Sequence, residues 1–218
     1  SVMFQNANLS IRVTDEFMRA VENDGTFQTK AVTTGDTVET LNARELMRQI
    51  AEGTHICGDP GMQYDTTINK WHTCLNSGRI NASNPCSEYM FVDNSACNLA
   101  SINLMKYVDE SGRFDLDAFR HTVRIFITAQ DILVDNASYP TEEIASNSHL
   151  YRPLGLGYAN LGALLMSLGL PYDGDKGRAQ AGVITALLTG FGFEASAELA
   201  AARGAFDEAI VLRFRALA

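Results

Sequence analysis

From residue 115 onward the chain alternates long amphipathic stretches with short apolar ones, and that alternation restricts it to an α/β architecture. Asp115 stands in the capping position ahead of Leu116, Phe119, Val123, Phe126 and Ile127, which share one helical stripe. Leu154 to Tyr158 reads as a buried strand leading into a helix through Leu168, with Gly169 as its C-terminal cap. An Ala-rich stretch from about Lys176 to Arg203 is predicted as a long helix that stops at Gly204. Helices and strands in this order belong to part of a larger sheet or barrel.

The first half carries weaker signals of the same class. Phe4 to Val13 mixes Asn with apolar residues and is expected to be extended. Thr14 caps a short helix with Asp15 and Glu16 in its favourable first turn. Thr26 to Thr40 suits a small hairpin turning at Gly35-Asp36. Asn42 followed by Glu45 resembles a capping box and starts a helix expected to end near Gly53. Between His55 and Ser83 turn residues are dense, which predicts long loops of the kind that more often carry function than not. Thr141 with Glu142 and Glu143 is expected to open another short turn. No repeat or Pro/Ser-rich linker interrupts the chain, so it reads as one continuous unit.

Composition excludes several classes. Of 218 residues, 46% are hydrophobic and 20% charged, values that rule out disorder, collagen and coiled coil. A net charge of -9 argues against partners that are nucleic-acid polymers, while leaving room for a single nucleotide in a local pocket. No uninterrupted apolar run approaches the roughly 20 residues that span a bilayer, so no membrane is expected. No charged and apolar leader opens the chain, and Ser1 begins mid-pattern, as in a piece of something longer. Cys57, Cys74, Cys86 and Cys97 form neither a dense disulfide framework nor a C-x-x-C knuckle, so no metal site is expected. Cytoplasmic thiols are the expectation.

The chemistry concentrates in Asn84-Pro85-Cys86-Ser87-Glu88, followed by Cys97 within Ser95-Ala96-Cys97-Asn98-Leu99. Pro85 disfavours helix at Asn84, and in an extended segment Asn84, Cys86 and Glu88 would project to the same side. An amide, a thiol and a carboxylate so placed can orient a hydroxyl, supply a nucleophile or one-electron centre, and act as general base. From spacing alone another reading stays open, a buried thiol beside a turn. Cys57 and Cys74 are expected to pack. His72 could serve Cys86 in a cysteine acyl-transfer enzyme, but no third group orients it. Gly155-Leu156-Gly157 lacks the full dinucleotide fingerprint and reads as a tight strand-to-helix joint.

Asn84-Pro85-Cys86-Ser87-Glu88-Tyr89-Met90, with the stretch from Ser95 to Leu104, resembles the active-site segment of class II ribonucleotide reductases, the adenosylcobalamin-dependent enzymes. Phe4 to Asn8, Gly58 to Tyr64 and Arg152 to Gly162 resemble further blocks of that family in the same order. The resemblance implies that residues 1–206 are a central, incomplete part of a ten-stranded α/β barrel. It implies that Cys86 becomes the thiyl radical that takes the 3′ hydrogen of a ribonucleotide, and that Glu88 takes the 3′-hydroxyl proton. Asn84 would hold the ribose, Asn84, Pro85, Cys86, Ser87 and Glu88 would together bind the substrate, and Cys97 would be one of two reducing cysteines. The implied cofactor is adenosylcobalamin, with no cobalt ligand from this chain. The implied partners are a ribonucleoside di- or triphosphate, a thioredoxin-like reductant acting through cysteines beyond this chain, and a second copy in a homodimer.

Other parts of the family pattern are missing here. The partner of Cys97 and the allosteric loops would lie upstream, and the phosphate-gripping loop downstream, so the piece is expected to be inactive alone. Residues 207–218, with Arg213-Phe214-Arg215, depart from the pattern. The nearest rival is a class I large subunit, whose radical comes from a separate metal-containing subunit. A non-catalytic nucleotide-binding remnant is the alternative of another kind.

Overall fold

Parallel strand pairing organises both halves of the chain. The computed structural model describes residues 6–205, and the chain divides into two units that meet in sequence at Asp93 and Asn94. The expectations for Phe4, Gln5 and 207–218 lie outside the described residues.

In the first unit, β1 (Ser10–Val13) pairs in parallel with β4 (Gly61–Tyr64), Arg12 opposite Gln63. The crossover holds α1 (Asp15–Glu22), the antiparallel hairpin β2 (Thr26–Lys30) and β3 (Thr37–Asn42), and α2 (Ala43–Cys57). The Thr14 hydroxyl accepts from Phe17 N–H, and Asn42 Oδ1 accepts from Glu45 N–H at 2.8 Å, as the caps predict. The Glu45 carboxylate turns to Arg48, so only half of the capping box forms. Helix α2 continues past Gly53 to Cys57, because Gly58, at φ +83°, is the residue that takes the left-handed stop. Val13, Phe17, Ala43 and Ile50 form the core, and Phe27 packs edge-on to Phe17. The region expected to be loop contains β4 and then α3 (Asp65–Lys70).

In the second unit, β5 (Asn98–Asn103) pairs in parallel with β6 (Leu154–Ala159). A 3₁₀ turn at Leu104–Tyr107, α4 (Leu116–Asn136) and α5 (Glu142–Tyr151) connect them. Phe119, Val123, Ile127, Gln130 and Val134 are the buried stripe of α4. Leu116, at the first turn, is exposed instead, and Phe126 is half-buried. The acidic pair at 142–143 opens a helix of 10 residues, longer than the turn expected there, with the Thr141 hydroxyl accepting from Ile144 N–H. Strand β6 is half-buried, since it has only β5 beside it among the described residues. After it come α6 (Leu161–Ser167) and α7 (Asp175–Arg203), which stops at Gly204 as expected.

Helix α7 packs Ile184, Leu188 and Ala195 onto Phe119, Val123 and Ile127 of α4. An 18-residue window within it has mean hydropathy 1.3, so by length and composition alone this helix could cross a membrane. The sequence suggested no such stretch because Ala and Gly dilute every apolar run. The architecture is mixed α/β. Its three two-stranded sheets do not close a barrel among the described residues.

Candidate functional site

The segment Asn84–Glu88 is a turn, with Ser87 N–H donating to Asn84 O at 3.0 Å and Ser87 at φ +64°. That left-handed residue breaks the period of two, so the same-side projection expected of an extended segment does not apply. A bridge from Ser83 to Met90 closes the base of the turn. The Asn84 side-chain oxygen accepts from Tyr89 N–H at 3.0 Å, committing its carbonyl end to the fold. Its amide end is therefore the one that a bound hydroxyl would meet. Asn84 and Ser87 are half-buried, while Pro85, Cys86 and Glu88 are exposed. A buried, packed thiol is thus not what Cys86 is.

Three side chains in series, Arg12, Gln63 and Ser83, lead to this turn. Arg12 on β1 donates to Gln63 Oε1 on β4 at 2.9 Å, to Asp65 Oδ1 at 2.8 Å and to Ile80 O at 2.7 Å. Gln63 is buried, and its Nε2 donates to Ser83 Oγ at 2.7 Å. Ser83 Oγ in turn donates to Asn84 O at 2.7 Å. Arginine has only donors, so it fixes which end of the Gln63 amide faces it and thereby the direction of the whole chain. Burial would raise the Asp65 carboxyl, but hydrogen bonds from Arg12 and Arg79 outweigh it and hold the group below the usual carboxylate range. Asn69 grips Ile80 by both its N–H and its C=O.

The other predicted residues divide. His72 is buried edge-on to Phe91, and its Nε2 has no partner among the described residues. Burial lowers its pKa, partly opposed by a hydrogen bond with the Gly78 backbone. A buried imidazole gives no support to the acyl-transfer reading. Cys57 is exposed at the end of α2, with its thiol 3.3 Å from Gly53 O and 3.4 Å from Asp59 O, so it is not the packed thiol expected. Cys74 is half-buried.

Cys97 belongs to the second unit and is half-buried just ahead of β5. The residue after it, Asn98, donates to Gln130 O at 2.9 Å, and Gln130 Nε2 donates back to Asn98 O at 2.7 Å. The same Nε2 donates to Gly155 O at 2.9 Å. Sequence reasoning missed Arg12, Gln63, Ser83 and Gln130. The available signal was a glutamine at an otherwise apolar position, twice: Gln63 inside a strand and Gln130 on the buried stripe of α4.

Comparison with known proteins gives a consistent result. A protein named vitamin B12-dependent ribonucleotide reductase from Rhodopirellula baltica is 61% identical over 209 residues, covering 95% of this chain and 20% of its own length. One of the same name from Streptomyces clavuligerus is 54% identical over 211 residues, 95% of this chain and 22% of its own. A vitamin B12-dependent ribonucleoside-diphosphate reductase from Mycobacterium tuberculosis is 36% identical over 207 residues, 95% of this chain and 30% of its own. The chain thus spans about a fifth to a third of the curated relatives it matches. The family model for the ribonucleotide reductase barrel domain matches residues 1–209, a range that includes both cysteine segments, and on that match the chain belongs to the ribonucleotide reductase barrel-domain family.

Proposed function

We propose that this chain carries the catalytic cysteine turn of a vitamin B12-dependent reductase that converts ribonucleotides to 2′-deoxyribonucleotides, as part of a longer protein. The observation that carries the reading is the turn itself: an exposed thiol and carboxylate at Cys86 and Glu88, beside an Asn84 whose carbonyl end is already held. Cys86 takes the 3′ hydrogen as a thiyl radical and later returns it. Glu88 accepts the 3′-hydroxyl proton, which eases departure of the 2′-hydroxyl as water. The amide end of Asn84 donates to the ribose, and Pro85 and Ser87 fix the backbone the substrate lies against. Cys97 and a second cysteine elsewhere in the longer protein give up two electrons and two protons. One C–OH and two thiols thus become one C–H, one water and one disulfide, and a thioredoxin-like dithiol resets the pair by exchange.

The residue suited to the cofactor is Cys86, whose exposed thiol can be approached from outside the chain. Bound adenosylcobalamin supplies the initial radical. No cobalt ligand is assigned to these residues. The strands belong to a ten-stranded barrel completed by the rest of the protein, which works as a cytoplasmic homodimer on ribonucleoside di- or triphosphates.

The test is anaerobic ribonucleotide reduction by the full-length protein, with and without adenosylcobalamin, beside Cys86→Ser. Activity needing both the cofactor and Cys86 is expected. Turnover without cobalamin would move the protein to class I, and no turnover under any condition would leave the remnant reading.

A further inference from the structure

Gly155 sits in the interior of β6 opposite Leu99, and its φ is not among the positive ones. A strand interior is a poor place for glycine unless something approaches closely, so backbone freedom does not explain it. Space does. A Cβ at 155 would lie 2.9 Å from Cys97 Sγ and 2.5 Å from Leu99 Cδ2, inside normal contact distance. The Cys97 sulfur therefore occupies the volume that any side chain at 155 would fill.

The second observation is the Gln130 amide, 2% exposed. Its two N–H groups go to carbonyls on different strands, Asn98 O on β5 and Gly155 O on β6. Only the amide's NH₂ end can serve two acceptors at once. The Asn98 side chain donates in turn to the backbone carbonyl of Gln130, so helix and strand are joined by two side-chain-to-backbone bonds one residue beyond Cys97. One nitrogen holding both carbonyls prevents β5 from sliding along β6, and that register sets where the Cys97 sulfur lies over Gly155.

We propose that Gly155 and Gln130 are positioning residues for Cys97: the glycine leaves the seat for its sulfur, and the glutamine fixes the strand register that puts the sulfur there. The inference rests on the reading of Cys97 as a reducing cysteine. Such a thiol must meet a substrate carbon and then a second sulfur, and disulfide formation tolerates only a narrow range of Cβ separations, about 3.5–4.5 Å. An alanine at 155 pushes the sulfur by roughly 0.6–1.1 Å to regain ordinary contact, and a displacement of about 1 Å can cost on the order of 10²-fold in rate. Leu99 is exposed and can move its methyl aside at little cost.

The experiment uses the full-length holoenzyme and a ribonucleotide tritiated at the 3′ carbon, following deoxynucleotide formation and, separately, tritium lost to water, which escapes when reduction stalls after Cys86 has taken the hydrogen and before it is returned. Gly155→Ala is expected to lower deoxynucleotide formation by about 10- to 100-fold while Cys86 still takes the 3′ hydrogen, so that tritium lost to water per deoxynucleotide formed rises. The double variant with Leu99→Ala should stay impaired. Gln130→Met, which keeps side-chain length and loses both donors, should show the same split and decides the matter if Gly155→Ala does not fold. Unchanged product, a parallel fall of both readouts, or recovery on adding Leu99→Ala would overturn the inference. Cys97→Ser separates the two levels. Normal product from it would overturn the role of Cys97 and the inference with it. A defective Cys97→Ser beside fully active Gly155→Ala and Gln130→Met would overturn the positioning alone.

Discussion

Gln63 offers a test in which stability and positioning come apart. Replacing it by leucine removes the bond from Arg12 at 2.9 Å and the bond to Ser83 at 2.7 Å. The first involves a charged donor and contributes about 1.5–3 kcal/mol, the second about 0.5–1.5 kcal/mol. The 3.4 Å contact with Ser87 Oγ is too long to add much. Arg12 keeps Asp65 and Ile80 O, its side chain is 19% exposed, and leucine has nearly the volume of glutamine. The expected loss for Gln63→Leu is therefore about 2–4 kcal/mol. Gln63→Glu differs in kind. Its carboxylate still accepts from Arg12, so the loss should be only about 1 kcal/mol. A carboxylate cannot donate, however, and Ser83 has a single proton already given to Asn84 O. Either two oxygens face each other or Ser83 turns away and releases Asn84, and the Cys86 turn is detached in both cases. Urea unfolding measures the stabilities, and deoxynucleotide formation by the full-length enzyme measures the turn. Glutamate should be nearly as stable as wild type yet much slower. A Gln63→Glu enzyme forming deoxynucleotide at the wild-type rate would refute the directional chain, and a leucine variant losing under about 1 kcal/mol would refute its energetics.

Two further outcomes concern stability. Burial lowers the pKa of His72, so below its ordinary value near 6.5 the unfolded chain binds a proton that the folded chain refuses. Stability from this group is complete above about pH 6.5 and is lost as pH falls toward the depressed folded value; His72→Phe should shrink the drop in urea midpoint between about pH 7.5 and about pH 5.5, and an unchanged drop would refute the assignment. Arg152, left-handed at φ +48°, ties Asp131 and Asp135 to the end of α5. Its bond to Asp135 holds that carboxyl below the usual range. Arg152→Ala should cost about 2–4 kcal/mol and Arg152→Gly about 1 kcal/mol less, since glycine takes the left-handed conformation freely; equal losses in thermal unfolding would show that the backbone there is unstrained.

What could be read from the sequence is what one turn of chain decides for itself. Thr14, Asn42, Asp115 and Thr141 each accept from an N–H three residues on, because a cap needs only its own helix. The stripe of α4 and the stop at Gly204 follow from the same local chemistry. Strand β5 was not legible. Asn98-Leu99-Ala100-Ser101-Ile102-Asn103 has no alternation to mark it, and its partner β6 arrives only after two helices. The site divides in the same way. The candidates Asn84, Cys86, Glu88 and Cys97 were singled out by their neighbours in the chain, but the shape of the turn that carries the first three could not be, since it depends on Ser87 at positive φ. Nor could Gln63 or Gln130 be tied to them. Each matters because its amide meets two groups distant in sequence, Arg12 with Ser83 in one case and Asn98 with Gly155 in the other. A candidate thiol can be picked out by its residue type; the side chains that hold its segment in place are found only by following each donor to its acceptor.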